Sequence, residues 1–177
     1  MGKDKSVVPR FAALALLVMA TVIAMTVCVH PVQAAGDPAN DPIVVIVNGS
    51  NPVDNLSMGE LRKLFLADRS RWITGREVSP VMRAVGAPER TLFLKVVCGM
   101  NDSDFDRYYL RADFTGKSTT PPKVVGSVRE VRRIVGNSPG AIGFVRYSDF
   151  HGDNDSVIKT VRIDGNAATD AGYKLHL

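Results

Sequence analysis

"IVVIVN", residues 43–48, constrains this chain more than any other stretch. It is an unbroken apolar run of mostly β-branched residues. Such a run predicts a strand covered on both faces rather than one. A strand of that kind needs a layer on each side of its sheet. The rest of the sequence supplies candidates for those layers.

Ser57 and Glu60 have the spacing of a capping box, in which hydroxyl and carboxylate each satisfy an orphan amide. Met58, Leu61, Leu64 and Phe65 follow at helical spacing, and this helix is expected to end near Asp68. "RSRWITGREV" reads as a loop anchored by Trp72, and "SPVMRAV" as a short strand. Pro88 suits the first position of a helix, where its missing amide costs nothing. That helix runs to about Cys98 and stops at Gly99. Ser103 is the expected cap of the next helix, whose apolar face carries Phe105, Tyr108, Tyr109 and Ala112. "TGKSTTPPK" reads as a loop. A second capping box, Ser127 with Glu130, opens a helix with Val128, Val131, Ile134 and Val135 that stops at Gly136. "AIGFV" and "SVIKTVRI" read as strands. Strands alternating with helices predict an α/β domain, a mainly parallel sheet flanked by helices.

The start of the chain has a different character. Lys3, Lys5 and Arg10 precede "FAALALLVMATVIAMTVCV", which carries no charge, and small residues follow at Ala34 and Ala35. Basic, apolar and small-residue regions in that order read as a secretory signal peptide over residues 1–35. A retained membrane anchor is the rival, since the run is about long enough to span a bilayer. A lipidated Cys28 is a weaker rival, because bulky Val27 precedes it. Residues 36–42, "GDPANDP", form a polar linker. Residues 43–177 then make one domain, long enough for one sizeable core. The expected location is periplasmic or secreted, with no membrane association once the leader is removed.

The formal charge is +4 for the whole chain. Residues 1–35 hold three basic and one acidic side chain, so their removal lowers it to +2. Neither that balance nor any basic run interleaved with aromatics points to nucleic acid. Cys98 is the one cysteine beyond the leader, so no internal disulfide forms there. It is expected to be a buried, inert thiol. His151 and His176 lie in polar segments without metal-ligand spacing. No nucleophile is paired with a base by any recognised signature. The residues thus call for no cofactor and no metal, and an enzyme is the poorest reading.

"VMRAVGAPERTLFLKVV", residues 81–97, runs a strand into an arginine, a glycine turn and a proline-led helix. Helix-start amides, the helix dipole, Arg83, Arg90 and the Thr91 hydroxyl are together suited to hold an oxyanion. Glu89 would repel one. The same residues also describe a well-capped connection with no ligand. "TGKSTT" lacks the earlier glycine and the preceding strand of a phosphate loop, so it is read as a solvated turn. Gly140 and Gly143, in "SPGAIGF", are expected where backbones approach closely or a sheet edge bends.

Taken in order, "LSMGELRKLFLADRSRW", "VSPVMRAVGAPERTLFLKVV" and "VREVRRIVGNSPGAIGFVRYSD" resemble the phosphate-type substrate-binding proteins of ABC transporters. The closer resemblance is to the short periplasmic proteins of that kind. The matching features are Leu61, Phe65, Trp72, Arg83, Gly86, Thr91 and Gly140 to Phe144, within residues 43–165. The resemblance implies a three-layer-like single lobe of a type 2 periplasmic binding protein. It implies a phosphate-like oxyanion at Arg83, Gly86, Ala87, Glu89, Arg90 and Thr91, taken up with an ABC permease.

Two departures stand against that function. The family's turn is typically Arg-x-Asp-Gly-Ser-Gly-Thr. Here Val85 replaces the aspartate that accepts from protonated phosphate, and Ala87 replaces the serine donor. The family also traps its anion between two lobes, and this chain is long enough for one. Half a site leaves the ion in water, where pairing is worth about 0–1 kcal/mol. A homodimer or a partner protein would have to supply the other wall. The alternative is an envelope interaction module that kept the fold and lost the ligand.

Overall fold

The computed structural model describes residues 41–116, 119–150 and 157–176. The leader, most of the linker, part of "TGKSTT" and His151 lie outside the described residues. The elements are β1 (Ile43–Asn48), β2 (Asn55–Leu56), α1 (Met58–Phe65), β3 (Ser79–Arg83) and α2 (Pro88–Phe93), which continues as a π-helical turn, Leu94–Cys98. Then follow α3 (Asp102–Phe114), β4 (Lys123–Val125), α4 (Val128–Asn137), β5 (Ala141–Arg146), α5 (Tyr147–Phe150) and β6 (Ile158–Ile163).

The strands form one six-stranded sheet in the order β2-β6-β1-β5-β3-β4. β3 lies parallel to both β5 and β4, and β2 parallel to β6. β1 runs antiparallel to β5, with Val45 opposite Phe144, and to β6, with Val45 opposite Val161. Five strands therefore point one way and β1 the other. The expected mainly parallel sheet flanked by helices is present. β2, β4 and α5 were not legible as elements. Two or three residues carry too little periodicity to stand out.

β1 is buried along its whole length, as its composition requires. Ile43, Val45 and Val47 face a core shared with α1, α2 and α3; Val44 and Ile46 face a second core under α4. On the first face, Phe93 stacks on Phe144 at 4.1 Å between ring centroids, and Phe65 lies 4.5 Å from Phe93. On the second, Val131 and Val135 of α4 close over Val81, Ala141 and Val145. Trp72 is buried and donates from Nε1 to the Gly140 carbonyl at 2.9 Å.

The helix ends refine the sequence reading. Ser57 and Glu60 form the full capping box on α1, which stops at Phe65, short of Asp68. α3 is capped by Asn101, not Ser103, because the Asn101 side chain accepts from the Asp104 amide at 2.9 Å. On α4, Ser127 accepts from the Glu130 amide, while the Glu130 carboxylate takes the Gly126 amide instead of closing the box. Cys98 is buried, and loss of water pushes its thiol up to about 11.

Candidate functional site

β3 delivers Arg83 to the carboxyl end of the sheet, and β5, its parallel neighbour, delivers Arg146 to the same end. The turn between β3 and α2 is tied to β4, since the Ala84 amide donates to the Val125 carbonyl at 2.9 Å. It closes with Ala87 N–H to Ala84 O at 3.2 Å. Gly86 sits at φ 88°, a conformation a side chain would disfavour. Pro88 occupies the first helical positions, as its chemistry predicts, and Ala87 caps the helix without any side-chain bond.

The helix amides are less free than the sequence suggests. Those of Arg90 and Thr91 both donate to the Ala87 carbonyl, at 3.0 and 3.1 Å. The Thr91 hydroxyl turns back to the same oxygen at 3.4 Å. An oxyanion would have to compete with each of these bonds.

The charged side chains divide into two groups. Arg83 donates from Nε to Glu89 Oε1 at 2.8 Å. Glu89 is buried to 2% exposure, and its Oε2 lies 3.6 Å from Nη2 of Arg146. Arg90 points the other way, into the interior, with 2% exposure. It bonds Asp102, the first residue of α3, donates from Nη1 to the Arg83 carbonyl at 3.0 Å, and lies over the Phe105 ring. Arg90 thus fastens β3, α2 and α3 together, and its planar fork suits three such partners.

Arg83, Gly86, Ala87 and Glu89 are therefore brought together at one turn, with Arg146 added. Arg90 and Thr91 are neighbours in sequence whose polar groups point elsewhere. Arg146 could not be picked out in sequence, because it lies 63 positions beyond Arg83 and only the parallel pairing aligns the two strand ends. Of the candidate residues, Thr91 lines a concavity of about 400 Å³ with Leu94, Lys95 and Asp102, while concavities of about 640 and 500 Å³ are lined by other residues. At the turn, Arg83 is engaged by the chain's own Glu89 carboxylate.

No family model matches the sequence. Solved structures share the fold. A phosphate ABC transporter substrate-binding protein from Clostridium perfringens, with bound phosphate, superposes with a TM-score of 0.59 at 22% identity, covering 75% of this chain and 49% of that one. An ABC-type phosphate transport receptor from Vibrio cholerae gives 0.59 at 19% identity, covering 75% and 50%. A phosphate-binding protein from Planctomyces limnophilus gives 0.53 at 21%, covering 71% and 42%. The architecture is that of the periplasmic-binding-protein-like α/β fold. This chain spans about half the length of those structures.

Proposed function

We propose that this chain is an exported envelope interaction module: one lobe of a periplasmic-binding-protein fold whose anion-facing turn serves structure and docking rather than solute capture. The observation that carries this reading is the Arg83–Glu89 pair at 2.8 Å, in which a part-buried arginine is taken up by the chain's own buried carboxylate. Val85 on the turn and Val124 on edge strand β4 add to it. Both are more than half exposed, one on the turn and one on the edge strand paired with β3. The leader over residues 1–35 supports export, and no helix among the described residues is long and apolar enough to cross a membrane.

The test is isothermal titration of the processed chain with phosphate and sulfate, alongside Arg83→Ala. The expected result is no heat at millimolar anion and a lower melting temperature for the variant. Heat that vanishes in Arg83→Ala at unchanged melting temperature would overturn the proposal.

That outcome would favour a second reading, solute binding of a phosphate-like oxyanion for ABC-type uptake. Its support is that Arg83 Nη1 is buried without a hydrogen-bond partner, and that the similar structures named above are phosphate-binding proteins. A homodimer or a permease would then supply the missing wall. Native mass spectrometry separates the two readings by showing a retained anion or none.

A further inference from the structure

Two guanidinium groups converge on one buried carboxylate. Arg83 Nε is 2.8 Å from Glu89 Oε1, and Arg146 Nη2 is 3.6 Å from Oε2. Their formal charges leave one positive charge in excess. The hydrogen bonding is unbalanced as well. Arg83 Nη1 and Glu89 Oε2 are both buried and neither makes a hydrogen bond. A guanidinium carries five N–H donors, so two of them offer more than this carboxylate takes up. The Glu89 side chain is 3% exposed, whereas those of Arg83 and Arg146 are 16% and 31% exposed. The cations therefore line the outside of the cluster and the anion fills its inside. Both arginines stand at the carboxyl ends of adjacent parallel strands, where open α/β sheets form their ligand crevices.

We infer that Arg83 and Arg146 form an intact oxyanion clamp, that the Glu89 carboxylate is its built-in occupant, and that a small oxyanion takes the clamp once that carboxylate is removed. This rests on the closed-site reading above and deepens it. The two guanidinium groups are present and filled from within, while Val85 and Ala87 stand where the family's turn has its aspartate and serine. The ligand class follows from the occupant: a compact oxygen anion that accepts from two guanidinium groups.

Chemical rescue tests this. Glu89→Ala removes the carboxylate and leaves room beside both arginines. Melting temperatures are compared for the unaltered chain, Glu89→Ala and Glu89→Ala with Arg146→Ala, in chloride, acetate and phosphate at equal ionic strength. An anion that binds the folded state alone raises its melting temperature by mass action. The expected result is that Glu89→Ala melts lower in chloride and regains about 5 °C or more in acetate or phosphate, while the double variant does not. Stronger rescue by acetate marks a planar carboxylate as the preferred occupant; stronger rescue by phosphate marks a tetrahedral one. A Glu89→Ala chain that is unfolded in chloride and folds in either anion supports the clamp equally. If it stays unfolded in all three, or responds to none, the clamp is overturned. Should the unaltered chain be stabilised by phosphate, the closed-site reading fails instead, so the two failures are distinct.

Discussion

Nη1 of Arg90 donates to the main-chain carbonyl of Arg83 at 3.0 Å, so the second arginine of the turn positions the first. The same side chain reaches Asp102, whose carboxylate is 28% exposed. Removing it frees a strand-end carbonyl and a partly buried carboxylate together. Arg90→Ala should cost about 3 kcal/mol, the lower end for a broken buried pair because water reaches Asp102. Arg90→Lys should recover little, since one ammonium cannot reproduce the fork. Urea unfolding checks this as a lower midpoint at unchanged slope.

Gly140 and Gly143 differ in what a methyl group would meet. A Cβ at Gly140 would lie 2.2 Å from the Glu77 carbonyl oxygen; at Gly143 it would lie 2.8 Å from Cγ1 of Val131. A backbone oxygen of Glu77, which pairs with Arg71, yields less readily than a valine methyl. Gly143→Ala should cost about 1–3 kcal/mol, in the usual range for overpacking. Gly140→Ala should cost more, and thermal melts of the two variants will rank them. The reverse order would show that the loop of residues 73–77 moves aside more easily than α4.

Much of the fold was written locally. β1 needed two covering layers, and α1 and α2 carried their own start signals in Ser57 with Glu60 and in Pro88. The close backbone approach expected at Gly140 is present, at the Glu77 carbonyl, whereas Gly143 meets the Val131 side chain on a central strand, neither a backbone nor a sheet edge. The site was readable only in part. Arg83 and Gly86 are where their spacing placed them. Whether Arg83 faced solvent or Glu89 depended on rotamers six residues apart, and sequence spacing does not fix those. Arg90 stands beside the turn in sequence, yet its side chain is buried. Its partners, Asp102 and Phe105, belong to the next helix, and only tertiary packing reveals them. Ser103 was the expected cap of α3, and the structure uses Asn101, two residues earlier.

Cys98 should be silent to thiol reagents in the native chain. It is buried, and desolvation pushes the thiol up to about 11, so little thiolate exists at pH 8. For the chain without residues 1–35, which hold Cys28, the expected outcome is negligible labelling by an aromatic disulfide reagent at pH 8 and one equivalent in urea. Fast native labelling would show that the π-helical turn, Leu94–Cys98, opens readily, and would place this segment among the less stable parts of the fold.

The α1 capping box should leave a signature in acid. Bonds from the Ser57 amide and hydroxyl hold the Glu60 carboxyl below the usual carboxylate range. A carboxylate lowered on folding adds stability above its unfolded pKa, and that contribution is lost as pH falls through the folded pKa. Glu60→Gln should therefore be less stable than the unaltered chain at pH 7, by under about 1 kcal/mol because this carboxylate is largely solvated. The difference should shrink as pH is lowered from 5 towards 3. Urea midpoints measured in parallel across that range give the sign directly. A gap that stays constant would mean that the side chain acts on α1 through its neutral hydrogen bonds and not through its charge.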